Sequence, residues 1–276
     1  MRFFDSHCHF DFPEFDPDRT EAWQEAKAAG VGAMMMPGVY PEQWQRLVDM
    51  SVADERFCFA LGIHPCWIHQ VAVDNTSLTS YESQIIRLID NIPERARHSF
   101  VAIGECGLDK TIELPLQQQL AIFGWHIQLS NHWQKPLVIH SLKTHNELIA
   151  YCKKNKPRFG GVVHAFSGSY ETAMQLIELG FYLGIGGTIT YERAQKTRAT
   201  VARVPVEHLV LETDGPDMPL CGQQGQRNDP KNIARVAQTL AGLRNDNAAD
   251  LTEQLWENTC KLFQFPIGHN GLAGNT

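Results

Sequence analysis

The chain reads as an α/β protein, a TIM-type (β/α)₈ barrel with one extra helix at its C-terminal end. Three observations predict this. Short apolar, β-branched runs alternate with amphipathic stretches from end to end. Eight such runs fit within 276 residues. Metal-binding side chains recur at the ends of the first, fourth, fifth, sixth and eighth runs, where a closed barrel would gather them at one mouth. An open doubly wound sheet is the alternative, but it could leave the first and last of those runs far apart.

The strands are expected at about 2–7, 32–37, 57–62, 100–105, 136–140, 161–165, 181–186 and 208–213. They are almost continuously apolar, as strands buried on both faces of a parallel sheet should be. The second helical stretch starts at Pro41 and puts Trp44, Leu47, Val48 and Ser51 on one face. The third keeps Tyr81, Ile85, Leu88, Ile89 and Ile92 in register. The sixth carries Ala173, Leu176 and Ile177 and stops at Gly180. The eighth carries Ile233, Val236, Ala237 and Leu240, and the extra helix at about 249–263 turns Leu251, Leu255 and Leu262 inward. Residues 1–265 therefore form one unit. The tail 266–276 has no periodicity and is expected to fray. The long irregular stretch 215–229 is a candidate lid or substrate loop.

Composition narrows the function. The net charge is −7, with no basic run, so broad neutralisation of duplex phosphates is disfavoured. Phosphate chemistry would need a local positive site. Seven scattered cysteines without a C-x-x-C pair fit a reducing cytoplasm. The start lacks an apolar signal-peptide core, and no stretch is apolar enough to span a membrane.

The residues closing the runs are His7 and His9, Glu105, His140, His164 and Asp214. Four histidines and two carboxylates suit a pair of borderline divalent cations, Zn²⁺, Mn²⁺ or Mg²⁺. Strand alternation would send His7 and His9 to one side and Cys8 into the wall. Glu105 has two oxygens and could bridge two ions, with His140 and His164 completing the second site and Asp214 closing the first. Two ions about 3.5–4 Å apart clamp a phosphoester or amide for hydrolysis, with Asp214 placed to accept the proton of the attacking water. A lone histidine at a strand end is more often structural; six compatible residues after five strands are not so easily dismissed. His64 also ends a run, where it could orient a phosphate or simply cap the turn before Pro65. Lys143 and Arg227 are candidate phosphate contacts, and Trp67 is a candidate stacking surface.

The segments DSHCHFDF, GIHP, GECGLD, VIHS, HAFSG, GGTIT and ETDGPDMPL, in that order over residues 3–265, resemble the TatD family of metal-dependent deoxyribonucleases in the wider amidohydrolase superfamily. TDGPDMPL and QRNDP are most similar to its YjjV branch. The resemblance implies a two-metal barrel: His7, His9 and Asp214 on one ion, His140 and His164 on the other, Glu105 between them, and His64 near the bound phosphate. It also implies 3′–5′ hydrolysis of single-stranded nucleic acid. Three positions depart from the family pattern. Leu142 stands where many members have arginine, Lys110 and Asp217 where many have aromatic residues.

These departures keep two functions in play. One is a metal-dependent exonuclease on single-stranded DNA, with RNA as a second substrate. The other is a small-molecule amidohydrolase or phosphoesterase acting on a C–N, ester or phosphate bond. A barrel kept only for partner binding would predict a broken donor set, and the set is complete.

Overall fold

The computed structural model describes residues 1–70 and 75–266. Eight parallel strands pair in chain order: β1 (Phe3–Asp5), β2 (Val31–Pro37), β3 (Phe57–Leu61), β4 (Phe100–Asp109), β5 (Leu137–Leu142), β6 (Gly161–Val163), β7 (Phe181–Ile185) and β8 (Leu209–Leu211). The ring closes between β8 and β1. There Ser6 N–H donates to Leu211 O (2.9 Å) and Asp214 N–H donates to His7 O (2.8 Å). Closure decides between barrel and open sheet.

Alternate residues divide between two cores. Phe4, Ala33, Met35, Cys58, Ala60, Ala102, Val138, Val162 and Val210 fill the barrel interior. Phe3, Met34, Met36, Phe59, Leu61, Ile103, Ile139 and Val163 face the surrounding helices. The helices are α1 (Arg19–Ala28), α2 (Trp44–Ala53), α3 (Asn75–Asn91), α4 (Leu116–Trp133), α5 (His145–Asn155), α6 (Tyr170–Glu178), α7 (Gln195–Val201), α8 (Ile233–Arg244) and α9 (Ala248–Phe263). The predicted faces of α2, α6 and α8 are buried, although Pro41–Gln43 form a 3-10 turn that leads into α2, and Ile92 lies just past the end of α3. In α9, the extra helix, Trp256, Cys260 and Phe263 close the barrel floor under Phe4. No helix among the described residues is long and apolar enough to cross a membrane. The tail expected from 266 onward lies, past Pro266, outside the described residues.

Several strand ends differ from the apolar runs. β4 continues four residues beyond Glu105, and β5 continues past His140, because Cys106–Asp109 pair with Ile139–Leu142. Glu105 is thus inside a strand rather than at its end. β1 stops at Asp5, so strand alternation is not what aligns His7 and His9. Instead the backbone leans on each neighbour in turn: Cys8 N–H donates to Met35 O (3.1 Å) and His9 N–H to Gly215 O (2.7 Å). This holds both rings inward and buries Cys8 in the wall, its thiol against Gly215 O.

Candidate metal centre

The barrel's interior parity carries straight into the site. Two residues beyond Val138 is His140, two beyond Val162 is His164, and two and four beyond Val210 are Glu212 and Asp214. All stand at the C-terminal ends of the strands, the catalytic end of this architecture.

Glu105 stands at the centre. Its Oε2 lies 3.2 Å from His7 Nε2 and 3.5 Å from His9 Nε2. The two histidine nitrogens are 3.4 Å apart. Asp214 Oδ1 is 3.5 Å from the first and 3.7 Å from the second. Ligands about 2.1 Å from a tetrahedral ion are about 3.4 Å from one another, so these four donors frame an ion-sized space. Glu105 Oε2 is buried and has no hydrogen-bond partner. A carboxylate oxygen is costly to leave so, and a cation would satisfy it.

The other oxygen of Glu105 faces a different set. Oε1 is 2.8 Å from His164 Nε2 and 3.5 Å from His140 Nδ1, which are 3.2 Å from each other. The residues present therefore fit two cations, one on each carboxylate oxygen. Burial raises the Glu105 carboxyl, but the surrounding His164, His64 and His7 outweigh it and hold it well below its usual range. Burial is the main reason Asp214 is pushed up to about 7.

His64 joins the second set, with Nε2 3.4 Å from Glu105 Oε1. Its other nitrogen, Nδ1, accepts the Cys66 N–H at 3.1 Å. Burial pushes its pKa down to about 3, so the ring is neutral and its proton sits on Nε2. It faces the site as a donor, not as a lone pair, which suits a contact to substrate oxygen. In His140 the polarity is reversed. Nε2 meets Asp109 Oδ2 at 3.0 Å and leaves Nδ1 free to bind a cation.

Three supporting carboxylates were not singled out from the sequence. Asp109 orients His140 and is itself fixed by Thr111 N–H and Oγ1. Glu212 sits behind His164, with Oε1 3.9 Å from Nδ1, and accepts Ala165 N–H. Burial and then the charge of Asp214 raise Glu212 well above its normal pKa. Gly184 makes room for it, since a Cβ there would collide with Glu212 Oε2. Asp5 accepts Thr213 N–H, Thr213 Oγ1–H and His7 N–H, tying the ends of β1 and β8 together. The only sequence signal was position: each acid lies within the quoted motifs, two to four residues from a candidate ligand.

The proposed phosphate contacts fare differently. Lys143 is exposed at the rim. Arg227 is not free: its guanidinium is spent on Asp18, Asp229 and Glu14 O and lies over the Phe15 ring. It clamps the 215–229 loop to the chain after β1, which corrects its assignment as a phosphate contact. Trp67 stacks on Tyr40 with ring centroids 4.4 Å apart, both half-buried. Lys110 is paired with Glu147, and Leu142 is exposed.

Comparison with known proteins fits this geometry. The family model described as "TatD related DNase" matches residues 4–264. The chain belongs to the TatD family. It is a metal-dependent hydrolase. The uncharacterized metal-dependent hydrolase YjjV of Escherichia coli K12 is 38% identical over 266 residues, covering 96% of this chain and 99% of that protein. The crystal structure of YjjV superposes with a TM-score of 0.88 over the same shares of the two chains. Deoxyribonuclease Tat-D of Schizosaccharomyces pombe is 28% identical over 268 residues, 86% of this chain and 84% of that protein. TatD membership agrees with the closed barrel.

Proposed function

We propose that this TatD protein is a two-metal phosphodiesterase that removes nucleotides from the 3′ end of single-stranded DNA, with RNA as a second substrate. The observation that carries this reading is Glu105: two oxygens facing two separate donor sets, one of them buried without a hydrogen-bond partner. His7, His9 and Asp214 would hold one divalent ion, His140 and His164 the other, and Glu105 both. Four histidines lean the donor set toward Zn²⁺ or Mn²⁺, with Mg²⁺ as an exchangeable alternative. Bound there, the ions would polarise the phosphoryl oxygens and acidify water.

The chain's own groups do the rest. Asp214 accepts the proton of the attacking water. His64 donates through Nε2–H to a phosphate oxygen. Asp109 holds His140 in place through Nε2, and Glu212 stands behind His164 and accepts the N–H of Ala165 beside it. The seven cysteines are all free, which fits work in a reducing cytoplasm. The relative named Deoxyribonuclease Tat-D supports the nucleic-acid substrate. A second reading, hydrolysis of a small ester, amide or phosphate, is favoured by exposed Leu142 and by Lys110 being engaged with Glu147.

The test strips the protein with chelator and re-adds Mg²⁺, Mn²⁺ or Zn²⁺. Substrates are bis(p-nitrophenyl) phosphate, a 5′-labelled single-stranded oligonucleotide, and a panel of esters and lactams. Metal-restored diester hydrolysis and a ladder shortening from the 3′ end are expected. Glu105→Ala should lose more than about 100-fold in activity, together with bound metal. Full activity in that variant would sink the two-metal assignment. Cleavage of lactams or carboxylic esters alone would transfer the protein to the second reading.

A further inference from the structure

The mouth of the barrel is electrically lopsided. On the β5–β7 side stand three cations, Lys143 after β5 and Arg193 and Lys196 around the start of α7, against one exposed acid in the same segment, Glu192. All three are exposed, and none meets a carboxylate among the described residues. On the β8–β1 side the cations are consumed: Arg19 and Arg46 by Asp16, Arg227 by Asp18 and Asp229. Asp217 remains there, in the field of Glu14, with no cation paired to it among the described residues. A polyanion leaving the metal centre is therefore drawn toward β5–β7 and repelled from β8–β1.

A cavity of about 230 Å³ opens between the loops after β7 and β8, where the two sides meet, lined by Thr188, Tyr191, Arg193, Ala194, Met218 and Pro219. Pockets for drug-sized ligands run from about 300 to 1,000 Å³, so this one suits a single planar ring system. Its walls are fixed in advance. Tyr191 Oη–H donates to Pro219 O (2.6 Å) and Cys221 N–H donates to Thr190 Oγ1 (2.9 Å), pinning the loop after β7 to the loop after β8. The Arg193 guanidinium lies 4.7 Å above the Tyr191 ring. Its outer face is free to stack on a base, and its N–H edge is free to hold a phosphate. Met218 gives the cavity a soft apolar edge.

We propose that this pocket is a nucleotide subsite for the uncut part of a single strand. Arg193 takes a phosphate and caps the base, Tyr191 and Met218 form its apolar walls, and Lys143 and Lys196 guide the backbone between the metal centre and the pocket. The inference rests on the exonuclease reading and gives it a direction across the mouth.

The test is equilibrium binding of a fluorescein-labelled, phosphorothioate-linked hexathymidylate, followed by anisotropy at two salt concentrations with the metal-loaded protein. Arg193→Gln should weaken binding about 10-fold and reduce the salt slope by about 1. Lys196→Gln should reduce the slope with a smaller loss of affinity. A strand with abasic sites should bind the wild type weakly and lose less affinity on Arg193→Gln than hexathymidylate does, because only the phosphate contact remains to be lost. Unchanged affinity in Arg193→Gln, or an abasic strand bound as tightly as hexathymidylate, overturns the subsite. The two readings fail separately. Diester hydrolysis without an effect of Arg193 removes the subsite alone, whereas Arg193-dependent strand binding without diester hydrolysis removes the nuclease assignment alone.

Discussion

His126 can fill its place only as a neutral ring. It reaches from α4 into the wall, where Nε2 accepts the Ile63 N–H at 2.9 Å and Nδ1–H donates to Ile122 O at 2.8 Å. It thereby fixes the backbone one residue before His64. Protonation would turn Nε2 into a donor facing another donor. Burial accordingly pushes its pKa from 6.5 down to about 4. The folded state then binds fewer protons than the unfolded chain between those two values. The stability this supplies is complete above pH 6.5 and is lost as pH falls toward 4. At pH 5 the loss is about 2 kcal/mol relative to pH 8. His126→Phe should be less stable at pH 8, because Ile63 N–H loses its acceptor, yet should lack this acid-side loss. Urea unfolding of both proteins at pH 8 and pH 5 checks it, and equal pH dependence would refute the assignment. The six candidate donors that the fold brings together stood out in the sequence because each ends or closely follows an apolar run. Asp109, Glu212 and Asp5 were not, because what distinguishes them is a distance to an imidazole or backbone N–H on another strand. Arg227 shows the opposite failure: a free cation by sequence, committed to Asp229 two residues on and to Asp18, which only folding brings near.

At the scale of elements, the site depends on sharp bends directly after strands. Lys143, Ala165 and Asp214 follow β5, β6 and β8, and all three have left-handed φ values of 57°, 46° and 60°. None is glycine, so each bend carries steric cost. The bends terminate the strands and set the direction of His140, His164 and Asp214. They also explain why β6 and β8 stop short of their apolar runs, which hydrophobicity cannot reveal. The overrun of β4 and β5 has another source, the pairing of Cys106–Asp109 with Ile139–Leu142. Ala165 isolates the cost of such a bend, since its contribution to the site is its backbone N–H to Glu212. Ala165→Gly keeps that donor and removes the Cβ. It should raise the unfolding free energy by about 1 kcal/mol, read from the denaturation midpoint at constant m-value. A lower midpoint would mean that the left-handed bend is not strained.

Across the whole molecule, the two ends of the barrel have divided labour. The upper end carries the buried polar and charged groups, held there by the C-terminal ends of the strands. The lower end is sealed by apolar packing: Phe4 has its ring centroid 5.6 Å from that of Trp256, 6.0 Å from Phe263 and 5.2 Å from Phe265. The alternation that makes Val138, Val162 and Val210 core also makes His140, His164 and Glu212 site, whereas His7, His9 and Glu105 reach it through irregular backbone. The barrel and part of its donor ring could therefore be read together from the chain. A cavity in the floor should therefore weaken the fold without touching the chemistry. Phe263 is fully buried on α9, and Phe263→Ala should cost about 3–5 kcal/mol of stability. At a temperature where the variant remains folded, its kcat for metal-dependent diester hydrolysis should stay within about two-fold of wild type, because no donor moves. Urea unfolding and steady-state kinetics on the same preparation decide it. If kcat falls more than tenfold while the protein stays folded, floor and mouth are mechanically coupled and the division of labour is wrong.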